Sequence, residues 1–144
     1  MRREIREDLR VMILHRTSVD RMLDAYIECA LWSSTGDPKP GENNGDPLDD
    51  DYGPEDIAPE TLAKMREDVA RFYEQHADII HAGPDGHDYD SVERAGHDFW
   101  LTRNRHGAGF WDGDWPEPAA TVLTDAAHVY GEVNLYEHEG RIYA

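Results

Sequence analysis

The chain is short of cysteine, of basic residues and of long apolar runs, and each shortage excludes something. Cys29 is alone among 144 residues, so there is neither an internal disulfide nor a cysteine-built zinc site. Within the apolar run "YIECALW" it is expected to serve as a small buried hydrophobe. No stretch approaches the roughly 18 consecutive apolar residues that mark a membrane-spanning helix. The charged opening "MRREIRED" is followed by no hydrophobic signal core, so the chain is expected to stay in the compartment where it is made. Lys and Arg together number 14 against 31 Asp and Glu, a net charge of −17. Phosphate recognition needs clustered cations, so direct nucleic-acid binding and adsorption to anionic membranes are not expected. Such a chain attracts basic partners instead, for example the nucleic-acid-binding surface of another protein. The usual catalytic signatures are missing too. There is no Gly-x-Ser-x-Gly, no His-Glu-x-x-His, and "HGAGFW" lacks the Lys and Ser/Thr of a phosphate loop. One His-x-Thr occurs, at 15–17, without the second that a two-histidine phosphoesterase requires.

The charge is unevenly spread. Residues 1–34 balance six Arg against six acids, whereas residues 35–60 set Lys39 against nine Asp or Glu. That second stretch is also dense in Pro and Gly, with almost nothing to bury. It reads as an acidic surface loop or disordered insertion at about 36–57 within one domain spanning 1–144. Its "DPLDDDYGPED" lacks the ligand alternation of an EF-hand, so a solvated loop is preferred to a calcium site.

Apolar spacing gives the elements. Ile5, Leu9, Met12 and Ile13, then Val19, Met22, Leu23, Tyr26, Ile27, Ala30 and Leu31, recur at helical intervals. Thr17 or Ser18 would cap a second helix, but the two patterns are in phase through Arg16, which leaves one helix or two open. Leu62, Met65, Val69, Phe72, His76 and Ile79 mark an amphipathic helix opening at Pro59 and stopping near Gly83-Pro84. "GPDGHDYD" is a turn in which Asp90 caps a short helix over about Ser91–Thr102, weakened at Gly96. "WPEPAATVLTDAAHVYG" is a helix with two prolines in its opening turn, and "EVNLY" and "RIYA" form a hairpin around "EHEG". The fold class is α+β, predominantly helical, with four to five helices and a small C-terminal β-hairpin.

The densest stretch is "AGHDFWLTRNRHGAGFWDGDW", residues 95–115. Its large rings suit a core, each indole N–H needing a carbonyl or carboxylate partner. Gly96, one turn before Trp100, would admit another backbone or ring, and Gly107 and Gly109 suit a helix end or a close approach. The candidate functional residues are His97, Asp98, Arg103, Asn104, His106, Trp111, Asp112 and Asp114. In the favoured reading the Asp and His side chains form an ordered polar edge, Arg103 and Asn104 contact an anionic group, and Trp111 gives an aromatic contact. In the alternative, residues 97–114 form a small metal-dependent or His/Asp-based enzyme, its His and Asp meeting around a divalent ion or pairing as an oriented general base. No cofactor is expected; metal content and oligomeric state are left open.

"AYIECALWSST", "DIAPETLAKMRED", the stretch just quoted and the ending "AAHVYGEVNLYEHEGRIYA" together resemble a family of small proteins of uncharacterised activity encoded by tailed bacteriophages. The resemblance runs from about Ala25 to Tyr143, with the acidic loop as its variable part. The usual form has Gly where Arg105 stands here. The resemblance implies an accessory protein acting in the host bacterial cytoplasm, and it carries no reaction and no catalytic residue. The expectation is therefore a non-enzymatic protein engaged in host takeover, binding a host or phage protein and blocking a nucleic-acid-binding surface. A minor structural or assembly component has no residue in its favour.

Overall fold

The computed structural model describes the backbone of residues 2–84 and 91–144, and the side chains of 18–84 and 91–144. Residues 85–90 of the turn "GPDGHDYD", with its cap Asp90, and the side chains of Ile5, Leu9, Met12 and Ile13, lie outside the described residues. Among the described residues, four α-helices and a two-stranded antiparallel hairpin make a predominantly helical α+β fold. No helix among the described residues is long and apolar enough to cross a membrane.

Helix α1 (Arg2–Ser33) is continuous, so the in-phase reading holds and no break falls at Thr17–Ser18. Its buried stripe Met22, Leu23, Tyr26, Ile27, Cys29, Ala30 packs chiefly on α3 (Ser91–Arg103). Helix α2 (Pro59–Ala82) buries Met65, Val69, Phe72 and Ile80. The non-helical backbone of His76 (φ −131°, ψ 18°) kinks α2, and beyond the kink Ile80 rather than Ile79 is fully enclosed. Helix α4 (Ala119–Val129) begins after both prolines instead of holding them in its first turn. Their carbonyls still serve it: Pro116 O accepts from Ala120 N and Pro118 O from Val122 N, each at 3.0 Å.

The rings of the 95–115 stretch do form the centre. Phe99, Trp100, Phe110 and Trp115 are buried. Phe72 stacks on Phe99 with centroids 4.2 Å apart, and Tyr26 meets Trp100 edge-on at 5.3 Å. Ring pairs in these geometries add to what burial alone contributes. Gly96 lies against α1: a Cβ there would collide with the Met22 carbonyl oxygen and stand 3.0 Å from the Tyr26 amide nitrogen. The missing side chain sets how closely α1 and α3 approach.

Gly109 makes the close approach expected of it, a Cβ there meeting Thr102 Oγ1, whereas α3 ends on a different residue from the one expected. The positive φ falls on Arg105 (57°), not on Gly107. The Arg105 N–H donates to Thr102 O and the His106 N–H to Leu101 O, both at 3.0 Å. These paired bonds are a Schellman closure, whose left-handed residue is usually Gly. A Gly at 105 would take that backbone without the strain of a Cβ.

The acidic loop is anchored at both ends. Thr35 bridges to Pro47, the Leu48 N–H donates to Ser34 O at 2.8 Å, and Leu48 and Ile57 are buried. Short 3₁₀ turns occupy Leu48–Asp50 and Pro54–Asp56. Contrary to expectation, then, the stretch does contribute to the core.

The hairpin strands are β1 (Tyr136–His138) and β2 (Arg141–Tyr143), in register Tyr136↔Tyr143 and Glu137↔Ile142. The connection is two residues, Glu139 and Gly140, both at positive φ (49° and 77°), as a turn that follows strand twist requires. Val133, expected in the first strand, lies outside the ladder, and its N–H donates to Asn104 Oδ1 at 2.7 Å. Ile142 is fully buried, and its carbonyl accepts from Ala58 N at 2.9 Å, which fixes the hairpin to the entry of α2.

Candidate functional site

Asp24, Glu28 and Trp32 follow one another at four-residue spacing on α1, so they share a face. That face lies off the buried stripe, and all three are exposed. On α3, Glu93 and His97 are likewise one turn apart, with Asp98 beside them. These side chains line three adjoining recesses. The first, about 340 Å³, is bounded by Glu93, Arg94, His97, Asp98 and Asp114. The second, about 320 Å³, is bounded by Glu28, Trp32, Asp49 and His97. The third, about 340 Å³, takes in Asp24, Glu28, Leu31, Asp49, Tyr52, Gly53 and Pro54. His97 joins the first to the second, and Glu28 and Asp49 join the second to the third. The result is one groove.

Its charge is mostly negative. Glu93 is held by Arg21 at 2.6 and 2.9 Å, which draws its carboxyl below the usual range, and Asp114 pairs with Arg94 at 3.1 Å. Asp24, Glu28 and Asp49 present further carboxylates along the groove. Asp98 sits deeper and accepts the Trp115 indole N–H at 2.7 Å, the carboxylate partner that a buried Trp needs. Burial pushes its carboxyl up to about 6, against the pull of that hydrogen bond, and Asp112 and Asp114 add repulsion.

The sequence candidates divide into four places. His97, Asp98 and Asp114 meet in the groove. Asn104 and His106 line a separate polar cleft of about 360 Å³ at the C-terminal end of α3, with Ser33, Ser34, Thr35 and Glu132. Trp111 and Asp112 lie on the exposed loop after α3, where Asp112 Oδ2 accepts the Gly109 N–H at 3.3 Å. Arg103 is not on the surface at all: 3% exposed, it donates to Asp68 Oδ2 (2.9 Å), Tyr26 Oη (3.1 Å) and the carbonyls of Tyr130 and Gly131. Its fork is engaged within the core, which removes it as a contact for an external anion. The amide of Asn104 is occupied as well, donating to Trp100 O and accepting from Val133.

His97 and His106 line different recesses, His97 within α3 and His106 in the turn beyond its C-terminal end. Among the described residues no three His, Cys, Asp or Glu side chains are grouped as metal ligands, and no hydrogen bond joins Asp98 to either histidine. The geometry therefore brings together neither the metal set nor the oriented base of the enzymatic alternative. What the residue-by-residue search missed is the α1 side of the groove, above all Trp32. Its signal was the Asp24–Glu28–Trp32 interval, set apart from the apolar stripe.

A carboxyl raised in this way makes stability depend on pH. Folded Asp98 keeps its proton up to about pH 6, whereas the ordinary value is 3.8. Between these values the folded state binds more protons, so this group's contribution to stability falls as pH rises through the window and stays low above it. Asp98→Asn, which stays neutral and can still accept from Trp115, should stabilise the fold by roughly 1–3 kcal/mol at pH 7.5. At about pH 3.5 that gain should nearly vanish, since the carboxyl is then mostly protonated in both the folded and the unfolded state. Urea melts at the two pH values check this; an equal effect at both would contradict it.

No family profile, curated protein or solved structure matches the chain.

Proposed function

We propose that this chain is a small acidic accessory protein of the tailed-bacteriophage type it resembles, and that it binds a basic protein inside the infected cell. The observation that carries this reading is the groove along α1 and α3, where the carboxylates of Glu28 and Asp49 flank the exposed Trp32. Opposite charge across an interface speeds encounter and selects partners, and exposed aromatic residues provide anchor points for binding. Blocking a nucleic-acid-binding surface follows from the same charge, because such a surface is basic.

Immobilised protein incubated with bacterial lysate tests the proposal. The expected partner is released as salt rises from about 0.1 to 0.5 M, the range over which surface charges become screened. It should also be displaced by added DNA, and retained less well by Glu28→Lys/Asp49→Lys. Recovery of no partner, or only of partners indifferent to salt and DNA, overturns the proposal.

A further inference from the structure

We propose that the middle recess of the groove, between Trp32, Glu28, Asp49 and His97, is the seat for an arginine side chain of the basic partner. This rests on the reading above and makes it specific. Trp32 is 61% exposed, whereas its neighbour Leu31 is buried. It nevertheless does not sit on a loose segment. The next residue, Ser33, accepts the buried Trp100 indole N–H at 2.8 Å, and the Ser34 N–H closes the last turn on Ala30 O at 3.1 Å. An exposed indole is thus held on a fixed helix end.

The flanking carboxylates come from different elements, Glu28 from α1 one turn earlier and Asp49 from the 3₁₀ turn at Leu48–Asp50. An exposed indole beside two carboxylates favours a cation. A guanidinium suits it better than an ammonium. It is planar and stacks on the ring, it offers donors in several directions for two separate acceptors, and it is more weakly hydrated. The recess, at about 320 Å³, admits such a side chain from the open side.

The test uses the full chain labelled with ¹⁵N and three short acetylated, amidated Gly-rich peptides carrying three Arg, three Lys or three citrulline. The Trp32 indole resonance is assigned by its loss in Trp32→Ala. The Arg peptide should shift that resonance, the Lys peptide should bind at least about threefold more weakly, and the citrulline peptide should not bind. Trp32→Ala should weaken Arg-peptide binding roughly three- to thirtyfold, and Trp111→Ala should leave it unchanged. Glu28→Gln/Asp49→Asn, altering two exposed residues, gives the same loss by an independent route should Trp32→Ala lower the melting temperature. Binding indifferent to Trp32 and to the carboxylate pair overturns the seat, as does equal affinity for Lys. If no peptide binds while salt-sensitive partner capture persists, the seat falls and the broader reading stands. If capture fails as well, both fall.

Discussion

Arg103→Met is expected to lower the unfolding free energy by about 3–5 kcal/mol, enough to leave a domain of ordinary stability barely folded. The reason is what remains behind. Asp68 is 5% exposed and receives Arg103 Nη1 at 2.9 Å; its other close cation is Lys64 Nζ at 3.2 Å, on a largely exposed side chain. Without the guanidinium, a buried carboxylate and two backbone carbonyls lose their donors, and the π-faces of Phe99 and Tyr130, each 5.6 Å away, lose their cation. Arg103→Lys should recover little, because an ammonium cannot reproduce a planar fork reaching four acceptors. Arg103→Met/Asp68→Leu should regain much of the loss, since apolar replacement of a whole buried pair is often neutral. Urea denaturation of the single and double variants gives the coupling between the two sites. A loss under about 1 kcal/mol for Arg103→Met would mean that the charge is solvated and the pair is not a core element.

Gly96→Ala comes next in size. Alanine is intrinsically better in a helix by about 1 kcal/mol, so propensity alone predicts stabilisation. The structure predicts the reverse. The added methyl would meet the Met22 carbonyl oxygen and the Tyr26 amide nitrogen, which are backbone atoms of α1 and cannot rotate away. Separating α1 from α3 disturbs the largest interhelical contact in the fold, and overpacking of this kind should leave a net loss of roughly 2–3 kcal/mol. Gly107→Ala is the control: a Cβ there meets nothing within 4 Å, and its effect should stay within about 0.5 kcal/mol. Thermal melts of the two variants distinguish packing from propensity. A more stable Gly96→Ala would show that the helices do not approach this closely.

These two positions also show how far the sequence could be read. Gly96 was legible, because a glycine one turn before a Trp on the apolar face of a helix has few uses besides close packing. The α2 stripe was legible from its spacing as far as Phe72, and the aromatic centre from its large rings. Arg103 was misread although its phase was visible. Ala95, Phe99 and Arg103 succeed one another at four-residue intervals, so the guanidinium had to follow the buried rings inward. Asp68, next to Val69 on the buried stripe of α2, was the complementary sign. Opposite charges placed within two apolar stripes are the mark of an internal pair, but residue type was given more weight than phase. Trp32 is the converse case: its interval with Asp24 and Glu28 places an aromatic residue outside the apolar stripe. The meeting of Asp49 with Glu28 and His97 had no local signature, since it depends on how Leu48 and Ile57 pull the loop against the helices.

The bonds of one guanidinium reach Tyr26 on α1, Asp68 on α2 and the carbonyls that follow α4, while the side chain itself belongs to α3. A half-assembled intermediate lacking any of these segments would either strand an ion or flood it with water. The four helices should consequently melt in a single all-or-none transition, with fluorescence and circular dichroism tracing the same curve.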